Sequence, residues 1–206
     1  MPLRSDWTNE KCPIARSLEV LGDPWVILVL RQAFSGVRRF DQFREQLGVA
    51  DNVLSKRLAA LVDAGLLRRV PYQDRRRTRS EYVLTDAGAD TLPVITALAQ
   101  WGERHRPHAD PDVRMDIVHR TCGRRSTTAD VCSHCGTRFT VDTTIWRKTW
   151  RTPQDLALSG AAALEEGTSQ GRVRNQAFDE AAANAGLHGG TFGDAVRDRD
   201  DFGYRA

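Results

Sequence analysis

No apolar run in this sequence is long enough to cross a bilayer. The longest, WVILVL at 25–30, falls far short of the roughly 20 residues that a spanning helix needs. The opening residues, MPLRSDWTNEK, hold no apolar stretch of signal-peptide length, so a cytoplasmic chain with no membrane partner is expected. Cysteine is scarce as well. Cys12 stands alone, while Cys122, Cys132 and Cys135 cluster. That spacing is not a disulfide framework, and in a reducing compartment it reads as metal ligation. Catalytic signatures are also missing: there is no Walker loop, no Gly-x-Ser-x-Gly elbow and no His-Glu-x-x-His. A zinc deaminase would need His-x-Glu followed by Pro-Cys-x-x-Cys. Here residues 119–121 are His-Arg-Thr, and Val131 precedes Cys132. The chain is expected not to be an enzyme.

What is present suits a globular protein. The 206 residues are 40% hydrophobic and 28% charged, enough for one moderate domain plus a smaller unit. The net charge of +3 is unevenly spread. Residues 1–150 carry 24 Lys/Arg against 18 Asp/Glu, and residues 151–206 carry 6 against 9. A basic body with an acidic end fits a polyanionic partner.

The segment CPIARSLEVLGDPWVILVLRQAFS (12–35) predicts two helices, broken at Gly22, with Asp23 as cap and Pro24 in the first turn of the second. The second is apolar on most faces and so is expected to be buried. DQFREQLG (41–48) predicts a short helix with Phe43 and Leu47 on one face. ADNVLSKRLAALVDAGLL (50–67) predicts another, capped by Asp51 and ended at Gly65, with Leu54, Leu58 and Leu61 facing the core. LLRRVPY (66–72) and SEYVLT (80–85) are extended by propensity, and the arginine-rich turn between them makes a hairpin. A long helix follows over 85–105, capped by Thr85 or Asp86. Pro93 either starts its main stretch or kinks it. Leu92, Ile95, Leu98, Ala99 and Gly102 form one apolar stripe.

The expected fold class is α+β: a mainly helical winged helix-turn-helix domain with a β-hairpin wing over 1–106, then a linker at 107–112. A small β ribbon-like module is expected over 113–148, with strand-like runs at 113–119 and 138–144. Residues 149–206 are expected to be a flexible tail for want of apolar residues, with a short helix allowed at 155–166.

With Leu54, Leu58 and Leu61 buried, the opposite face of their helix carries Asn52, Ser55, Lys56 and Ala59, with Arg57 on the flank. Asparagine can pair bidentately with adenine, and serine and lysine reach bases or phosphates. Arg75, Arg76, Arg77 and Arg79 on the hairpin would grip neighbouring phosphates or enter a narrow minor groove. Double-stranded DNA is the expected partner.

In the order and spacing of these pieces, residues 12–104 resemble the HxlR-type winged-helix transcription regulators, relatives of the MarR group. The matching runs are CPIARSLEVLGDPWVILVLRQAFSGVRRFDQFREQLG, LSKRLAALVDAGLLRRVPY, EYVLTDAG and ALAQWG. The resemblance implies a homodimer built from the N-terminal helix and the long helix after the wing, reading an inverted-repeat operator. A dimer interface would also bury the stripe on residues 92–102. Some members of the family use a cysteine ahead of the first helix as a thiol sensor. Cys12 holds that place beside Lys11, a setting that favours a reactive thiolate. The alternative is a small apolar residue packed at the dimer seam.

HRTCGRRSTTADVCSHCG (119–136) pairs His119 with Cys122 and Cys132 with Cys135, each pair spaced by two and each ending in Cys-Gly. This resembles the knuckles of a zinc ribbon. Three thiolates and one imidazole would close a tetrahedral structural Zn2+ site. His134 lies between the second pair and competes as a ligand. The whole predicts a sequence-specific DNA-binding transcription regulator, a dimeric repressor answering a redox signal or a small-molecule inducer. Two alternatives stay open: an interaction or scaffold protein whose ribbon and tail recruit a partner, and a metal or redox sensor switched at the cysteine cluster.

Overall fold

A computed structural model describes residues 6–74, 77–151 and 153–160. Helix α1 (Pro13–Leu21) begins at a proline and stops at Gly22. The side chain of Asp23 then accepts from the Trp25 amide to cap α2 (Pro24–Phe34). Helices α3 (Phe40–Leu47) and α4 (Asp51–Asp63) form the helix-turn-helix. The cap of α4 is the extended residue Ala50. Asp51 sits inside the first turn, 3.6 Å from Arg44, and not at the expected cap position.

Leu30, Phe34, Phe43, Leu54, Leu58 and Leu61 are fully buried together. They fix α4 against α2 and α3 by the i, i+4, i+7 pattern of its leucines. The wing is an antiparallel hairpin of β1 (Leu67–Asp74) and β2 (Arg77–Leu84), in register from Leu67↔Leu84 to Asp74↔Arg77.

Past the wing, the Thr85 side chain caps α5 (Asp86–Ala89) by accepting from the Gly88 amide, and its hydroxyl donates to the Gly65 carbonyl. Gly88 is required here. A Cβ at this position would sit 2.1 Å from the Leu66 carbonyl oxygen. The expected single helix is therefore two: α5, then α6 (Leu92–His105), with Pro93 in the first turn of α6 rather than at a kink.

The stripe on residues 92–102 also divides. Leu92 and Ile95 are buried, but Leu98 is exposed and joins Val94 and Trp101 on the outer side of the helix. α1, which buries no residue, likewise leaves Ile14 and Leu18 exposed.

The second unit is a three-stranded antiparallel sheet of β3 (Met115–His119), β4 (Thr144–Lys148) and β5 (Asp155–Ala157), in the order β3-β4-β5. The run at 138–144 is not a strand, apart from Thr144, which opens β4; its Phe139 amide donates to the Asp130 carbonyl inside a turn-rich insert. The start of 155–166 is not helical either. Asp155 pairs with Arg147 across the sheet, with two hydrogen bonds of 2.5 and 2.8 Å, and Leu158 is buried. The described structure thus reaches Gly160, and the rest of the expected tail, residues 161–206, lies outside the described residues.

The sheet packs on the helices. The fully buried Trp146 ring meets Phe34 of α2 edge-on at 5.9 Å. The Ser159 amide donates to the Phe34 carbonyl at 2.9 Å, and the Met115 amide to the Glu103 carboxylate at 2.9 Å. Ile117, Phe139, Trp146 and Leu158 belong to the same apolar cluster as the leucines of α4. Among the described residues, no helix is long and apolar enough to cross a membrane.

Candidate nucleic-acid interface and metal centre

Burial of Leu54, Leu58 and Leu61 turns Asn52, Ser55 and Lys56 to solvent on the far face of α4. The Asn52 carboxamide oxygen accepts from the Val53 amide at 2.8 Å, leaving its NH2 group to face outward. Arg57 differs. Its Nη2 lies 2.5 Å from Oδ2 of Asp23, and both side chains are largely covered. Arg57 is therefore engaged in holding α4 to the cap of α2.

On the wing, Arg77 and Arg79 are exposed along β2. Arg75 and Arg76 lie outside the described residues. Arg68 and Arg69, outside the expected contact set, are also exposed, on β1 at the base of the same hairpin. Their signal was the RR of LLRRVPY, read only as part of a strand. Arg39 ties the wing to α3: it pairs with Glu81 at 3.1 Å and lies over the Tyr72 ring at 4.6 Å. Two polar surfaces, the outer face of α4 and the arginine-bearing wing, thus rise from one rigid core.

Cys12 is the exposed residue ahead of α1, with its carbonyl accepting from the Arg16 amide. The Arg16 guanidinium in turn donates to the carbonyls of Glu10 and Lys11, pinning the chain that leads into the helix.

The second site gathers His119, Cys122, Cys132 and Cys135, whose ligand atoms all lie within 4.8 Å of one another. The residues come from two equivalent loops. In the first, the Gly123 amide donates to the His119 carbonyl and the His119 amide to the Arg124 carbonyl. In the second, the Gly136 amide donates to the Cys132 carbonyl and the Cys132 amide to the Thr137 carbonyl. Gly123 and Gly136 have φ of 67° and 71°. That left-handed turn suits glycine and aims backbone amides at the sulfurs.

The distances fit a small tetrahedron. His119 Nδ1 is 3.3 Å from Cys122 Sγ and 3.2 Å from Cys135 Sγ, and the Cys122 and Cys132 sulfurs are 3.7 Å apart. A centre about 2.3 Å from each sulfur would require sulfur–sulfur edges of about 3.8 Å. His119 is buried edge-on to Phe139 at 5.5 Å, which fixes the ring plane. His134 stands outside the set, its Nε2 3.0 Å from the Arg125 carbonyl.

The thiols are unequal. The Thr137 hydroxyl, followed by its backbone amide, draws Cys135 down to about 6. For Cys122 the strongest influence is the Arg124 amide, which lowers it. Burial and the neighbouring thiols Cys132 and Cys135 outweigh that and push it up. Three convergent sulfurs, one already inclined to the thiolate form, and one imidazole nitrogen are equipped to hold a metal ion.

Comparison with known proteins places these features in context. The description of HxlR-like helix-turn-helix proteins matches residues 20–110. Rv3095 of Mycobacterium tuberculosis (strain H37Rv), an uncharacterized HTH-type transcriptional regulator, is 42% identical over 128 residues, which are 62% of this chain and 79% of its own. The uncharacterized HTH-type transcriptional regulator sll1512 of Synechocystis is 36% identical over 46% of this chain and 70% of its own. Among solved structures, PA1607, named only as a candidate transcription factor, is 34% identical. It superposes with a TM-score of 0.55 over 66% of this chain and 94% of its own. An alignment of 128 residues cannot fit within residues 1–110, so the likeness to Rv3095 runs into the cysteine-bearing module.

Proposed function

The chain belongs to the HxlR-like helix-turn-helix family, and from that premise we propose that it is a sequence-specific DNA-binding transcription regulator acting as a dimeric repressor in the cytoplasm. The observation that carries this reading is the outward polar face of α4, set against three fully buried leucines and flanked by the arginine wing. Asn52, Ser55 and Lys56 enter the major groove. Arg77 and Arg79, together with Arg75 and Arg76 of the turn, contact phosphates beside it.

The dimer forms through α1 and α6, whose outward Ile14, Leu18, Val94, Leu98 and Trp101 are left exposed by the described residues. Trp101 is 56% exposed and Ile14 is 69% exposed. Two-fold pairing presents two α4 helices about 34 Å apart to an inverted repeat.

The donor set of His119, Cys122, Cys132 and Cys135 supports zinc as its metal: three sulfurs and one imidazole nitrogen leave no open position for a water, as in a structural site. A bound zinc would supply cross-linking and no chemistry. Cys12, exposed at the entry to a helix of the dimer face, is the point where oxidation would alter the pairing of the two chains. A small-molecule inducer between the dimer helices would act on the same seam.

Fluorescence anisotropy on the DNA upstream of the protein's own gene, beside scrambled duplex at two salt concentrations, tests the reading. Tight, sequence-preferring binding that weakens steeply with salt supports it. Equal weak binding to a broad pool of genomic duplexes would sink it in favour of a protein-recruiting role.

A further inference from the structure

The helical head and the cysteine-bearing unit do not close completely against each other. A cavity of about 510 Å³ lies between them, a size that suits a small ligand. One wall is α5 with the first turn of α6. The other is the chain at 138–142, which leaves the second cysteine loop.

The lining has two characters. Leu92 and Phe139 are buried, 1% and 4% exposed, and make an apolar floor. Asp86, Asp90 and Asp142 are exposed and stand at the mouth. Asp86 and Asp90 are four residues apart on one helical turn, a spacing at which like charges repel. Among the described residues, none of the three carboxylates has an ion-pair partner. Arg138, the cation on the second wall, is matched by Asp130 at 3.4 Å. The mouth is therefore negative and the floor apolar. A hydrated metal ion would gain from the carboxylates and nothing from the floor. An organic cation gains from both, because its charge meets the carboxylates while its body leaves water.

We propose that this cavity binds a small primary ammonium ligand with an aromatic or aliphatic body. The ammonium sits between Asp90 and Asp142, one carboxylate from each wall, and the body covers Leu92 and Phe139. The ligand thus bridges the start of α6 and the segment whose Phe139 packs edge-on to His119 at 5.5 Å. The site shares no residue with the outer face of α4 or the wing, so its failure and that of the DNA reading are separate results. Gly160 lines one end of the cavity, and Arg172 and Arg174 follow it in the sequence. The test therefore also distinguishes a free amine from the chain's own cations.

Calorimetric titration of the full chain without DNA compares three probes of one shape: phenethylamine, the neutral phenethyl alcohol and the anion phenylacetate. Saturable one-to-one binding of the amine is expected, with the alcohol weaker by about tenfold or more and phenylacetate not bound. Asp90→Asn with Asp142→Asn brings the amine down to the affinity of the alcohol. Ala89→Leu, which fills the cavity from the α5 wall, removes both. Asp63→Asn, at the exposed end of α4 and outside the lining, leaves amine binding unchanged. Thermal unfolding of each variant shows that it is folded. The proposal fails if the amine gives no saturable binding, if the alcohol or phenylacetate binds as tightly, or if amine affinity survives the paired Asn substitution. Binding that emerges only in Arg172→Gln with Arg174→Gln assigns the cavity to the chain's own cations and overturns a free ligand.

Discussion

Arg57 of α4 grips Asp23, the residue that caps α2: one carboxylate oxygen lies 2.5 Å from the guanidinium while the other accepts from the Trp25 amide. A single side chain thus starts one helix and sets the position of another. Asp23→Ala is expected to cost about 1–2 kcal/mol, because it removes the cap and the ion pair together. Arg57→Ala should cost about 1 kcal/mol, and the double variant less than the sum of the two. Urea denaturation of the three proteins measures the cycle; strict additivity would mean that the contact contributes nothing.

Lys56, next in the chain, faces outward and has a different expected effect. Lys56→Ala should leave stability unchanged and lower the slope of log K against log salt by about one. For Arg77→Gln with Arg79→Gln the slope should fall by about two, equally on operator and on scrambled duplex. Anisotropy at four or more salt concentrations gives these slopes. A variant that loses operator preference while keeping its slope would move that residue from phosphate contact to base reading.

Zinc at the proposed site carries a prediction about cooperativity. Because Trp146 and Phe34 share one apolar cluster, removal of zinc by a chelator should lower the unfolding temperature of the whole described body in one transition. Cobalt(II) added to the stripped protein should give tetrahedral thiolate bands at one equivalent. Cys132→Ser should abolish the bands. Two separate unfolding transitions after chelation would show that the units are independent.

Lys148 predicts the pH dependence of stability. Burial holds its ammonium down to about 7 in the folded chain, against the ordinary 10.5 of a lysine. Between those pH values the unfolded chain binds the extra proton, so stability must rise with pH over that window, by up to about 1.4 kcal/mol per unit. Below about pH 7 the lysine is charged in both states and the full penalty of burying it remains. Lys148→Met should therefore flatten the profile between pH 7 and 10 and add most stability on its acid side. Subtracting the two chemical-denaturation profiles isolates this residue from the other titrating groups, which both proteins share.

The parts of the fold that were legible in the sequence were those set by neighbours close along the chain. Gly22, Asp23 and Pro24 marked the break between α1 and α2. The leucine spacing of α4 named its buried face and, by exclusion, Asn52, Ser55 and Lys56. The two Cys-Gly pairs marked the four side chains whose donor atoms the fold brings within 4.8 Å of one another, because each knuckle is a local turn. What was not legible depended on distant partners. RFTVDTT alternates like a strand, yet the Phe139 amide pairs within the insert and β4 starts only at Thr144. Asp155–Ala157 has the composition of a helix and becomes a strand because Arg147 and the edge of β4 await it. Arg57 lies beside the outward-facing residues on α4, and only the folded position of Asp23, 34 residues earlier in the chain, turns it inward.

The shared packing of Trp146 and Phe34 determines where this protein could be cut or joined. The polar stretch at 107–112 looks like a place to graft the DNA-reading head onto another protein, but a fusion there would strip α2 of the indole that covers it and leave Phe34 in water. A transplantable head must carry the cysteine-bearing loops and all three strands with it. The helix-turn-helix and the cysteine-bearing module therefore form one packing unit, in which a change suited to either must also be tolerated by the other.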